Sequence, residues 1–262
     1  MSMLCKPTSS SISPETRAII KRKTGKDYED PRDLPSNLDL SFCEDLVDVS
    51  ALGGVRYLNL SGCTGVVDVS ALGACRYLNL SGCTGVVDVS ALGTVKHLIL
   101  GGCTGVVDVS ALGGVETLIL EGCTGVVDVS PLGGGSVKYL DLSGCTCVRD
   151  ISPLGGGSVK TLILAGCTGV VDVSALGAST TLQRLNLKGC TGVVDVSALG
   201  KVEWLILAGC TGVVDVSALG RVETLDLEGC TSITDVSALG RVQDLDLTGC
   251  TGITNAPTAH QA

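Results

Sequence analysis

The sequence repeats a block of about 20 residues eleven times, and this period limits the possible folds more than any other feature. The ten residues SGCTGVVDVS occupy positions 61–70 and recur unchanged at 81–90, followed each time by ALG. Aligned on one cysteine, the blocks run from Cys43 to Cys250, and short insertions such as GGGS lengthen some of them. A block this short cannot bury its own apolar side, so successive blocks must stack and share a core.

Each block contains one Leu-x-Leu pair, from Leu38 and Leu40 to Leu245 and Leu247. Alternating apolar residues predict a β-strand whose leucines share one face. Twenty residues leave no room for a helix opposite the strand, so we expect VVDVSALG to be extended and to end in a tight turn. In block 55–74 the residues expected to point inward are Val55, Leu58, Leu60, Cys63, Val66, Val69 and Leu72.

Two blocks resemble signatures of the leucine-rich-repeat superfamily. CTSITDVSAL at 230–239 is similar to the C-x-x-I-T-D signature of the cysteine-containing class, and DISPL at 150–154 matches the internalin-like class. The chain resembles a hybrid of the two over about residues 36–254. The resemblance implies a strand-dominated α/β repeat solenoid of about eleven coils, with a parallel sheet on one face and an extended or turn-rich opposite face. For function it implies only a binding scaffold.

The N-terminal stretch SPETRAIIKRKTG predicts one short helix. Ser13 is suited to cap its start, Pro14 to its first turn and Gly25 to its end. Its Ile19 and Ile20 are expected to cover the open end of the first coil. We therefore predict a flexible segment and capping helix at 1–35, the repeats at 36–254 and a tail at 255–262.

The 14 cysteines invite metal, redox or disulfide hypotheses, but most of them occupy one slot of the repeat. Neighbouring coils lie about 4.8 Å apart, more than the roughly 3.5–4.5 Å between the Cβ atoms of a disulfide. A straight line of thiols also cannot surround a metal tetrahedrally. We expect buried thiols that donate to carbonyls of adjacent coils, and no metal or cofactor. Cys75 should be buried, and Cys5 and Cys147 exposed.

The repeated acidic residue, Asp68 in one block, lies near the predicted turn. Its carboxylate is expected to accept backbone N–H bonds, and Ser70 to cap the turn with its hydroxyl. A calcium site is disfavoured because one acid per coil forms a line and not a cage.

Charge and composition exclude several functions. The net charge is −9 and no long basic run interrupts it, which argues against a nucleic-acid partner. No apolar stretch has the length of a signal peptide or of a membrane span, so we expect a cytoplasmic protein without membrane contact. The two histidines, His97 and His260, have no predicted nucleophile or orienting group beside them, so we do not expect an enzyme.

The residues that vary between blocks fall at outward positions of the strands, where specificity is expected. The chain has six aromatic residues, namely one Trp, four Tyr and one Phe, and four of the six occupy the same outward position of their blocks. Aromatic, arginine and exposed aliphatic residues are typical anchors of protein interfaces. Cross-strand packing is the alternative explanation for them. The predicted partner-binding residues are Arg56, Tyr57, Arg76, Tyr77, His97, Ile99, Ile119, Tyr139, Ile163, Trp204 and Ile206.

The sequence thus predicts a protein–protein interaction scaffold that binds through its strand face. One alternative is a substrate adaptor related to F-box proteins, although residues 1–35 predict one short helix where an F-box needs several. A remote alternative is ice binding by threonine columns such as that of Thr64. We expect a monomer, with Asp244 and Asp246 discouraging self-association at the C-terminal sheet edge.

Overall fold

The computed structural model describes residues 11–255, which form two compact units, one ending at Val126 and one beginning at Val127. Each unit is a strand-dominated repeat solenoid with one three-residue strand per coil, as predicted. Successive strands within a unit pair in parallel, so that Leu58 lies opposite Leu78. The first unit contains β1 Asn37–Asp39, β2 Tyr57–Asn59, β3 Tyr77–Asn79, β4 His97–Ile99 and β5 Thr117–Ile119. The second contains β6 Tyr139–Asp141, β7 Thr161–Ile163, β8 Arg184–Asn186, β9 Trp204–Ile206, β10 Thr224–Asp226 and β11 Asp244–Asp246.

The core of each coil consists of small aliphatic side chains. The prediction for block 55–74 is confirmed, because all seven residues expected inside are at most 2% exposed. Cys75, which takes the place of Val55 in the next block, is also buried, at 1%. A narrow coil excludes large rings from its interior, which explains a chain with only 2% aromatic residues.

The side opposite the strands ends in a short helical turn in each coil. Most are 3-10 turns; in one coil the turn is a four-residue α-helix, α2, Ser130–Gly133. Along the chain the 3-10 segments are Pro31–Asp33, Ser50–Gly54, Ser70–Ala74, Ser90–Leu92, Ser110–Gly114, Ser152–Gly156, Ser174–Ala178, Ser197–Leu199, Ser217–Leu219 and Ser237–Leu239.

The repeated aspartate, and not the repeated serine, supports this turn through its side chain. The backbone N–H of Ser110 donates to Asp108 Oδ1 at 2.8 Å, and this bond holds the pKa of Asp108 below its ordinary value. The prediction for the aspartates is therefore confirmed. The prediction for Ser70 is wrong, because the capping side chain is that of Asp68, whose Oδ1 accepts the backbone N–H of Ser70 at 2.9 Å. Ser70 is itself the first residue of the turn, so its own N–H needs an acceptor.

Helix α1 spans Pro14–Thr24 and covers the first coil, as predicted. Ser13 Oγ accepts the N–H of Thr16 at 3.4 Å, and Gly25 ends the helix in a left-handed conformation with φ 73°. Ile19 and Ile20 are buried. The hydroxyl of Thr16 donates to the carbonyl of Asp48 in the first coil at 2.7 Å. Among residues 11–255, no helix has the length and apolar character required to cross a membrane.

The cysteines of the repeat form a ladder of buried thiols inside each unit. In the first unit Cys83 Sγ donates to the carbonyl of Leu60 at 3.1 Å, and in the second Cys167 Sγ donates to that of Leu142 at 2.9 Å. This confirms the predicted bond to an adjacent coil. Cys147 is exposed, as expected, whereas Cys5 lies outside the described residues. Within residues 11–255 the cysteines form no disulfide, and no group of three or more potential metal ligands comes together.

Candidate protein-binding face

The strand face of each unit consists of the first and third residues of its strands, because the middle leucine is buried in every strand except β11, where Leu245 is half-buried. We call the first residues the outer row and the third residues the inner row. In the first unit the outer row places Tyr57 beside Tyr77 and Tyr77 beside His97. The inner row of that unit pairs Ile99 with Ile119. Arg56 and Arg76, which precede two of these strands, are exposed.

In the second unit the predicted residues surround a depression of about 250 Å³. Its apolar floor includes Ile163 and Ile206 of the inner row, and Tyr139 and Trp204 of the outer row also line it. The parallel register explains this clustering, because it places side chains from different blocks side by side on neighbouring strands. All four predicted residues of this unit therefore contact the same depression.

Arg184, which was not among the predicted residues, also lines the depression. Its guanidinium carbon lies 4.6 Å from the centre of the Trp204 ring, in a cation–π contact across β8 and β9. The Trp204 side chain is nevertheless 40% exposed. Within the described part of the chain, no carboxylate forms an ion pair with Arg184. The arrangement presents a positioned positive charge beside an exposed ring.

The inner row contains isoleucines and also polar residues, which support the turn after the strand. Asn186 Oδ1 accepts the N–H of Lys188 at 2.8 Å. Asp141 accepts from Ser143 and Asp226 from Glu228 in the same way, each at 2.9 Å. Asn186 is the member of this set that lines the depression, and its oxygen is already bonded. Its NH₂ group has no hydrogen-bond partner among residues 11–255 and can donate to a ligand.

Sequence reasoning missed Arg184 and Asn186 for an identifiable reason. Both are outward residues in the same rows as the predicted aromatic residues and isoleucines, but neither is itself aromatic or aliphatic. A signal was nevertheless present, since Arg184 and Trp204 occupy the same position of consecutive blocks. That shared position places the two side chains on neighbouring strands, but their contact depends on side-chain conformation, which the sequence does not give.

A second regular surface of each unit exposes valines, which sequence reasoning also missed. Val67 is 58% exposed in the first unit, and Val171 is 59% exposed in the second. These valines pack against the next coil, because a Cβ added at Gly85 would lie 3.0 Å from Cγ2 of Val67. This contact gives the valine column a role in stacking the coils. The strand face, where residues differ from coil to coil, remains the candidate for specific binding.

Comparison with known proteins identifies the fold. No protein-family model matches the sequence, and no curated protein matches it significantly. Two internalins from Listeria monocytogenes are similar in structure. InlF has a TM-score of 0.54 at 17% identity, over 94% of this chain and 94% of its own. InlC2 has a TM-score of 0.51 at 20% identity, over 94% of this chain and 95% of its own.

A third similar structure is the leucine-rich-repeat protein LIC12759 from Leptospira interrogans. Its TM-score is 0.50 at 16% identity, and the match covers 70% of this chain and 54% of that protein. At such identities the likeness concerns the fold, and it agrees with the in-register parallel strands and short opposite turns of both units. The chain described here has the leucine-rich-repeat fold.

Proposed function

We propose that this protein is a binding scaffold that recognises a partner protein through its strand face, with the depression of the second unit as the principal contact. The observation that supports this most directly is the grouping of Tyr139, Ile163, Trp204 and Ile206 around one depression, with Arg184 held against the Trp204 ring. Trp, Tyr and Arg are the residue types most enriched at the energetic centres of protein interfaces.

Packing between strands accounts for only part of this composition. Isoleucines in neighbouring strands stabilise a sheet by contacting each other, so Ile163 and Ile206 alone are weak support. Cross-strand stabilisation does not require an exposed tryptophan with an arginine stacked on it. A binding role accounts for both, because partner association removes the ring from water and pairs the charge.

The remaining predicted residues extend the proposed surface to the first unit. Tyr57, Tyr77 and His97 form its outer row, with Arg56 and Arg76 beside them. We propose that the protein has a binding role and not a catalytic one, and that it acts in the cytoplasm. We also propose that its partner is a protein and not a nucleic acid. The net charge of −9 and the lack of disulfide bonds among residues 11–255 support these choices. No feature of residues 11–255 specifically favours an F-box-type adaptor or ice binding.

The test is affinity capture with the tagged full-length protein in an extract of the cells that produce it. The double variant Tyr139→Ala with Trp204→Ala should lose captured partner while the chain stays folded, because both side chains point away from the core. Losing one interface anchor costs at least about 2 kcal/mol, or roughly thirtyfold in affinity.

The matched control is the double variant Thr64→Ala with Thr104→Ala, which changes two exposed turn residues away from the strand face. It should capture the partner as well as the unaltered protein does. Retained capture by the aromatic variant, together with loss by the threonine variant, would place the binding surface elsewhere.

A further inference from the structure

The polar groups that line the depression are predominantly hydrogen-bond donors. Arg184 carries five N–H groups and no acceptor, and its guanidinium carbon lies over the Trp204 ring. The bond from the N–H of Lys188 to the side-chain oxygen of Asn186 orients this amide, whose NH₂ group can donate to a ligand. The hydroxyls of Tyr139 and Thr161 can also donate. A lining of this kind requires a ligand rich in acceptors.

The aliphatic side chains lie on both sides of these donors. Parallel pairing places Ile163 of β7 and Ile206 of β9 directly beside Asn186 of β8. A ligand that satisfies the donors therefore also brings apolar groups over the isoleucines. An acceptor group next to an aliphatic side chain fulfils both requirements.

Charge distinguishes between kinds of acceptor. The inner row has Asp141 on β6 and Asp226 on β10, each two strands from Asn186, or about 10 Å at the usual strand spacing. These carboxylates oppose a doubly charged phosphate more strongly than a singly charged carboxylate. The planar edge of Arg184 also matches a carboxylate, which it can bind through two parallel N–H bonds.

From this arrangement we infer that the depression recognises an acidic peptide segment of the partner, in which an Asp or Glu carboxylate lies beside an aliphatic side chain. The carboxylate binds Arg184 and Asn186, and the aliphatic side chain covers Ile163 or Ile206. This inference rests on the proposed function, because it names the chemistry of the partner at the same face.

The chain provides its own reporter, since Trp204 is its only tryptophan. The indole N–H resonance of the folded full-length protein can be followed by NMR during titration with two tripeptides blocked at both ends. One probe is Leu-Glu-Leu, and the other is the uncharged, isosteric Leu-Gln-Leu. We expect the glutamate probe to shift the resonance at an at least roughly tenfold lower concentration, because hydrogen bonds to charged groups are the stronger ones. High salt should reduce this preference.

A matched pair of variants tests the role of the donors. Asn186→Asp keeps the oxygen that accepts the Lys188 N–H, as Asp141 and Asp226 do for their own turns, but replaces the NH₂ donor with a negative charge. It should remove the preference for the glutamate probe. Asn79→Asp makes the same change in the first unit, where Asn79 accepts from Ser81 at 2.9 Å, and should leave the preference intact.

The outcomes separate this inference from the proposed function. Equal responses to the two probes, or no response to either at millimolar concentration, would overturn the acidic-peptide inference even if partner capture depends on Trp204. A preference that survives Asn186→Asp would overturn it as well. A tenfold preference for the glutamate probe that is lost in Asn186→Asp and kept in Asn79→Asp would support the inference. This result would stand even if partner capture does not depend on the aromatic residues and the proposed function fails.

Discussion

At the scale of single residues, the cysteine ladder combines small volume with a hydrogen-bond donor. In each coil the carbonyl of a leucine points toward the next coil. The carbonyl of Leu80 accepts the backbone N–H of Cys83 at 2.9 Å and also the thiol of Cys103 at 3.1 Å, so the thiol adds a bond between coils that an alanine or valine could not make. Burial also raises the pKa of Cys83 and Cys103 to about 12, which keeps these thiols protonated and unreactive near neutral pH.

Thiol labelling of the native protein at pH 8 should therefore separate two classes of cysteine. Cys147 is exposed and should react with a maleimide within minutes, whereas Cys83 and Cys103 should react only after unfolding. Their raised pKa leaves almost no thiolate at pH 8, and burial keeps the reagent away from it, so both thiols should stay unlabelled while the fold persists. Mass spectrometry of labelled peptides identifies the sites. Rapid native labelling of Cys83 would contradict the buried ladder.

At the scale of elements, the short turns opposite the strands stack so closely that some positions accept only glycine. A Cβ added at Gly93 would lie 2.2 Å from the carbonyl oxygen of Ala111 in the following turn. Backbone atoms cannot move aside as a flexible side chain can. This contact explains why SALG repeats in successive coils although Gly93 itself has an ordinary helical conformation.

Gly93→Ala should destabilise the protein by about 1–3 kcal/mol, the usual cost of overpacking a closely packed site. The control is Gly54→Ala, because a Cβ at Gly54 meets nothing within 4 Å and the equivalent residue of the next turn is Ala74. The control should change stability by less than about 0.5 kcal/mol. Urea unfolding midpoints measure both. Equal midpoints for the two variants would show that the turns separate at little cost.

At the scale of the whole molecule, the last coil of the second unit is less covered than the coils before it. Leu225 and Leu227 of the preceding coil are fully buried, whereas Leu245 and Leu247 are half-buried. Within residues 11–255, β11 pairs on one side only, with β10. An unpaired strand edge with apolar residues beside it favours pairing with another chain. Asp244 and Asp246 are the charged residues in position to oppose such pairing.

Replacing these two charges should promote self-association. Asp244→Thr favours strand pairing, and Asp246→Asn retains the oxygen that accepts the N–H of Thr248 at 2.8 Å. Light scattering should show a concentration-dependent rise in mass for this double variant. The control removes the same charge elsewhere, through Asp195→Asn with Asp215→Asn, and keeps both turn bonds. An unchanged mass for the edge variant, or an equal increase in the control, would rule out a protective role of the two residues.

Much of the fold follows from the sequence alone because the structure repeats. In each coil the same residue types meet the same neighbours, so one block is enough to predict the strand, the buried residues and the thiol bond. The capping helix is also local, since Ser13, Pro14 and Gly25 act within a few residues of the backbone that they terminate. The serine was predicted incorrectly to cap the turn, because this role depends on the residue at which the turn begins. The turn begins at the serine itself, so its backbone N–H needs an acceptor.

The candidate site could be predicted only in part. The outward positions of Tyr139, Ile163, Trp204 and Ile206 follow from strand alternation within single blocks. Their common depression, the stacking of Arg184 on Trp204 and the free donor end of Asn186 emerged only in the tertiary structure. These features depend on side chains from different coils and on which hydrogen bonds the turns have already used. The sequence by itself therefore determined the scaffold, whose contacts repeat, whereas the tertiary structure decided the chemistry of the site, whose contacts occur once.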